Sequence, residues 1–165
     1  MTELLRLDRH LLDRFLMAVE ERFPRKTFGY FLADEPGGTP TDFVFFEDNV
    51  RDDWRAEFIK YGQYFIDHDD AGFLATPEES WRVARHIRDA GLHEVGVFHS
   101  HQRHPGLLAT VDVDLHPSPQ LWHLLIVLRN RNYPQVRAFS LADGGRVAEM
   151  EIDLIDERGR TLDHV

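Results

Sequence analysis

The sequence predicts a single domain of the α/β type, in the α+β sense, built on a mixed sheet. Three observations carry that reading. The N-terminal segment has helical apolar spacing, a strongly capped second helix runs straight into an apolar strand, and three β-type runs close the chain. At 165 residues the chain has the length of one ordinary domain with a real core.

In order, residues 2–23 carry Leu4, Leu5, Leu7, Leu11, Leu12, Phe15, Leu16 and Val19 on one helical face, with Pro24 after the last turn. Residues 27–33 and 43–46 are apolar runs around the turn Pro36-Gly37-Gly38, which together read as a β-hairpin. Residues 48–70 mix aromatics from Trp54 to Phe65 with many charges, and core filling is the plain reading of those rings. Thr76-Pro77-Glu78-Glu79 reads as a helix start, with Thr76 as N-cap, Pro77 at N1 and Glu79 closing a capping box. That helix is expected to reach Ala90, to bury Trp81, Ala84 and Ile87, and to end on Gly91. A short strand over 94–99 follows, then a loop of about twenty residues up to 121, a length that is usually functional. Strands are expected over 123–128, 136–141 and 147–155, with the turn Asp143-Gly144-Gly145 between the last two. The domain is read as 1–155, with 156–165 a polar C-terminal tail that frays.

Composition excludes several functions. Formal net charge is −10, from 29 acidic against 19 basic residues, so a nucleic-acid partner is not expected. With no cysteine there is no disulfide framework, thiolate metal site or thiol nucleophile, which fits a reducing, cytoplasmic setting. No run approaches the roughly 18 apolar residues of a membrane helix, and Met1 to Arg9 has no apolar signal core. There is no Gly-rich phosphate loop and no nucleophile elbow of the GxSxG type.

The chemistry gathers in residues 95–112, VGVFHSHQRHPGLLATVD. His99 and His101 alternate at the end of a strand, so both imidazoles point to one face. With a carboxylate from the following loop they make three protein ligands, and zinc then keeps a fourth position for a water of pKa about 7. An HxH pair alone is weak, since ten histidines in 165 residues give roughly 0.6 such pairs by chance. The conjunction with the apolar strand and with Asp112, eleven residues beyond His101, is much stronger.

This stretch resembles the signature of the JAMM (MPN, JAB) metallopeptidases, in which HxH is followed by seven residues, Ser, two residues and Asp. The resemblance spans roughly residues 5–145 and takes in the N-terminal helix, the strand holding Gly29, the strand ending in Asn49, the capped helix and Val95-Gly96-x-x-His99. It implies a curved mixed sheet flanked by helices, one zinc on His99, His101 and Asp112, and cleavage of a peptide or isopeptide bond at the tail of a ubiquitin-like or sulfur-carrier protein. Ser100 would support the loop. A homodimer is left open.

Three positions depart from the family's pattern. Its general base, a Glu three residues before the strand glycine, is Lys26 here, and its oxyanion-stabilising Ser is Ala109. The Pro that usually follows HxH is Gln102. Lysine is already protonated at its ordinary pKa, and losing one oxyanion donor costs about 10²–10³ in rate. Three readings follow. A shifted first strand would let Glu20, Glu21 or Glu35 reach the site. Glu94, Asp114 or His104 would serve as base, with Thr110 as a weak oxyanion donor. Or the site holds metal without cutting peptides, as a scaffold that receives a protein tail. Hydrolysis of a non-peptide amide is a further alternative.

Among the other candidates, His68 with Asp67, Asp69 and Asp70 reads as a solvated turn. His10, His86, His93 and His164 read as surface residues, and His116 in the long loop is unassigned.

Overall fold

The computed structural model describes residues 3–47, 75–101, 106–108, 112–113, 116–142 and 145–164. These form eight strands and two helices. The strands are β1 (Leu4–Asp8), β2 (Phe28–Ala33), β3 (Asp42–Phe46), β4 (His93–His101), β5 (Trp122–Val127), β6 (Gln135–Ala142), β7 (Arg146–Ile155) and β8 (Thr161–His164). The helices are α1 (Arg9–Arg22) and α2 (Pro77–Asp89). The sheet runs β1-β7-β6-β5-β4-β2-β3, with β8 beside β7. Pairs β1–β7 and β4–β5 are parallel and the rest antiparallel, so the expected mixed α+β sheet is present.

The predicted first helix starts late. Leu4–Asp8 is a strand, with Leu5 and Leu7 buried and Leu4 and Arg6 exposed, a period of two. Asp8 then ends the strand and caps the helix, its Oδ1 accepting the Leu11 N–H at 2.9 Å. From there Leu11, Leu12, Phe15 and Val19 turn inward. Phe15 lies 4.7 Å, centroid to centroid, from both Phe31 and Phe98, tying α1 to the centre of the sheet.

Helix α2 begins as predicted, with Thr76 Oγ1 accepting the Glu79 N–H at 3.1 Å. Glu79 also has a tertiary role: its carboxylate accepts the Glu47 N–H at 3.0–3.1 Å and pairs with Arg82. The buried face is Val83 and Ile87, whereas Trp81 and Ala84 are exposed. One narrow stripe suffices because α2 covers a small patch made by Phe28, Leu32, Phe46 and Val97. Gly91 closes the helix with φ +69°, as a C′ glycine should.

Because side chains alternate along β2, Phe31 and Ala33 join the core under α1 while Phe28 and Leu32 join the patch under α2. The sheet is therefore sandwiched between the two helices. The polar segment after Ile155 turns back on the sheet as β8. Asp156 accepts backbone N–H groups from Arg158 and Arg160, Gly159 takes φ +76°, and β8 pairs back on β7. Short polar side chains that hydrogen-bond the backbone favour such a turn, a signal that polarity alone conceals. Residues 48–70, with the aromatic run and the His68 cluster, lie outside the described residues, as do Asp143 and Gly144. Among the described residues no helix is long and apolar enough to cross a membrane.

Candidate metal centre

Strand β4 carries the site. The register with β2 slips once, Phe31 pairing Gly96 and Leu32 pairing Glu94, so Val95 is the extra residue of a bulge. Beyond it Val97, His99 and His101 share the face that carries α2. Strand β5 runs parallel beside them and presents His123, Leu125 and Val127 on that same face. The histidines thus lie between two apolar patches, one under α2 and one formed by Leu125, Val127, Phe139 and Leu141. Val113 packs on the second patch and sets its neighbour Asp112 over the strand.

His99, His101 and Asp112 are each 0 % exposed. Their ligand atoms converge: His99 Nε2 lies 2.8 Å from His101 Nε2, and each is 3.3 Å from Asp112 Oδ2. Zinc bonds of about 2.0–2.2 Å set at tetrahedral angles separate ligand atoms by about 3.3–3.5 Å. Two edges of this triangle match and the third is shorter by about 0.5 Å. Protonation also fits. Burial pushes the His99 imidazole down to about 4, and attraction to Asp112 only partly offsets it. Burial would raise the Asp112 carboxyl, but its interactions with His99 and His101 and the Lys26 cation hold it well below its ordinary value. A neutral imidazole and an ionised carboxylate are the forms that bind a divalent cation, so this buried group can hold a metal ion.

Ser100 points away from the group and fastens the neighbouring strand. Its Oγ accepts the Thr27 N–H at 2.8 Å, and its own N–H donates to the Thr27 carbonyl at 2.9 Å. This register sets Lys26 beside the site, where its charge acts on both His99 and Asp112. Lys26, which the resemblance aligns with a glutamate, therefore lies near the group. Glu20 pairs with Arg131, Glu21 is exposed on α1, and Glu35 is exposed in the β2–β3 turn. Glu94 is exposed at the far end of β4, its Cα roughly 16 Å from that of His99 by strand rise. It is not brought to the group. Thr110, Ala109, Gln102, His104 and Asp114 lie outside the described residues.

Two further histidines belong to the site. His123, fully buried, places its Nε2 2.5 Å from His99 Nδ1. His116 places its Nδ1 3.1 Å from His123 Nδ1, and its Nε2 lies 2.8 Å from the Leu121 carbonyl oxygen. Burial holds His123 well below its ordinary value and also lowers His116, against hydrogen bonds to the Leu121 and Ser118 backbone. The sequence gives no spacing signal for His123. Only the parallel pairing of β5 with β4, which aligns Val97 with His123, brings it to His99.

No protein-family profile matches the chain, and no curated protein matches it in sequence. Solved structures do match. A solution structure of a protein from Desulfitobacterium hafniense is similar with TM-score 0.67 and 21 % identity, covering 92 % of this chain and 93 % of that one. A solution structure of a protein from Salinibacter ruber is similar with TM-score 0.62 and 19 % identity, covering 96 % and 97 %. These two likenesses show the fold. A crystal structure described as a JAB1/MPN domain protein, from Archaeoglobus fulgidus, is similar with TM-score 0.48 and 14 % identity over 89 % of this chain and 97 % of that one.

Proposed function

We propose that the chain is a zinc hydrolase of the JAMM/MPN type, which holds one zinc ion on His99, His101 and Asp112 and cuts a peptide or isopeptide bond at the tail of a ubiquitin-like or sulfur-carrier protein. The observation that carries this reading is the buried convergence of two imidazole nitrogens and one carboxylate oxygen within 2.8–3.3 Å. When bound, zinc supplies a Lewis acid for the scissile carbonyl and a water of lowered pKa. The chain's residues do the rest. His99 and His101 supply nitrogen ligands from β4, Asp112 adds the charge, and Ser100 locks that strand to the segment bearing Lys26.

Lys26 supports a second reading. Its ammonium donates hydrogen bonds and has no lone pair with which to take a proton from water. A module that holds metal and receives a protein tail by strand addition, without cutting it, fits that residue.

Elemental analysis of the purified protein tests the metal. About one zinc per chain is expected, absent from His99→Ala/His101→Ala. Incubation with a ubiquitin-like protein extended beyond its C-terminal Gly-Gly tests the reaction, with His101→Ala as control. Zinc-dependent release of the extension supports the hydrolase. Binding without release, with zinc in place, supports the module instead.

A further inference from the structure

Neutral imidazole has one N–H and one lone pair, so a row of rings in hydrogen-bond contact has a direction. Here a carbonyl sets it. The Leu121 oxygen can only accept, so the proton of His116 sits on Nε2 and donates across 2.8 Å. His116 Nδ1 is then a lone pair, and the 3.1 Å contact needs its proton from His123 Nδ1. His123 Nε2 is then a lone pair in turn, and the 2.5 Å contact needs its proton from His99 Nδ1. What remains on His99 is a lone pair on Nε2, the atom that faces His101 and Asp112. Three neutral rings carry three N–H groups for four contacts, and this order leaves the one without a proton at His99 Nε2–Asp112 Oδ2, the longest at 3.3 Å, whereas any other neutral order sets two acceptors against each other across 3.1 Å or less.

We propose that His123 and His116 are positioning residues, forming a buried relay anchored on the Leu121 carbonyl that fixes the tautomer of His99 so that its Nε2 lone pair faces the metal position. The relay is built into the chain segment that delivers Asp112. The His116 N–H donates to the Val113 carbonyl at 3.2 Å, and the Leu121 N–H donates to Ser118 at 3.1 Å before the chain enters β5 at Trp122. The turn that sets Asp112 beside the histidines therefore also sets the far end of the relay. Partners of this kind on a ligating histidine typically contribute 10–100-fold in metal affinity. The inference rests on the metal-binding reading of His99, His101 and Asp112, but its direction can be read without any metal.

The first experiment is long-range ¹H–¹⁵N correlation NMR on chelator-treated protein labelled at histidine. His99 and His123 should carry their proton on Nδ1, and His116 on Nε2. A proton on Nε2 of His99 or His123 in the folded, metal-free protein would overturn the relay, even if that protein later takes up zinc. The expected tautomers without zinc uptake would overturn the metal-binding reading and leave the relay's direction standing. The second experiment is zinc affinity by chelator competition. His123→Ala should weaken binding about 10–100-fold. His123→Gln, whose amide both donates and accepts, should restore part of the loss. His116→Ala removes a half-buried ring and spares the β5 core, so it serves should His123→Ala not fold. It should weaken zinc and release the Nδ1–H preference of His123. Affinities within twofold of wild type in both His123→Ala and His116→Ala would overturn the positioning role.

Discussion

At the scale of single residues, burial holds His99 neutral, while the charges and hydrogen bonds around Asp112 keep its carboxylate ionised against burial. A buried histidine with a lowered pKa makes the molecule acid-sensitive. Between pH 6.5 and about 4, His99 is protonated in the unfolded chain and neutral in the folded one. The unfolded state binds more protons there, so stability is fully present above pH 6.5 and falls as the pH drops toward 4, by about 1.4 kcal/mol per pH unit for each such proton. Over the whole interval His99 alone accounts for roughly 3 kcal/mol. His123 and His116 are also lowered and act in the same direction. Asp112, held below its ordinary value, costs stability only further down, below about pH 3.8. Urea midpoints of the metal-free protein, measured from pH 7.5 to 4.5, should therefore decline steadily. A flat profile would mean that these imidazoles are not held neutral. The three candidate ligand residues were legible from the sequence because HxH plus a distant Asp is a spacing. His123 was not, because its partnership with His99 is made across two strands 24 residues apart.

At the scale of elements, local signals served well where one residue type has one use. Thr76 caps α2, and Gly91 ends it. They misled where two periodicities overlap. Leu4, Leu5, Leu7 and Leu11 satisfy a helical stripe, yet Leu5 and Leu7 also satisfy a strand, and pairing with Ile152 and Leu154 of β7 decides the matter. The likeness of α2 to a broadly buried helix failed for a similar reason, since the extent of the surface beneath it is not written in the helix. Gly96 shows how an element can hold the site in place. A Cβ there would lie 2.4 Å from the Trp122 ring, which packs beside Phe31. Gly96→Ala should force that ring to move and cost about 1–3 kcal/mol by overpacking. Since Gly96 pairs with Trp122 at the start of the β4–β5 ladder, weaker zinc binding should accompany the lower melting point. A variant that melts with the wild type would show that Trp122 yields without strain.

At the scale of the whole molecule, the centre ties the segment bearing Asp112 to β4 and β5, which already pair side by side in the sheet. Two donors come from the end of β4, the third from the segment after it, and the support on Nδ1 of His99 from β5. An ion bound there would fasten the sheet between its two apolar patches and would bind only the folded chain, in which the three donors converge. Stability must then rise with free zinc by mass action, by about 2.7 kcal/mol at one hundred times the dissociation constant. For a domain of this size each kcal/mol raises the melting point by about 2–4 °C, so the expected shift is roughly 5–11 °C. Calorimetry with buffered zinc, against the same protein in chelator, measures it, and His99→Ala/His101→Ala should show no shift. Amide exchange then locates the effect. Protection should rise in β4, in β5 and at Asp112–Val113, while β8, which pairs with β7 at the far side of the sheet, should gain no more than global stabilisation gives it. Equal melting points with and without zinc in the wild type would show that the three donors do not hold the ion in the folded chain, and both the hydrolase and the metal-holding module would fall together.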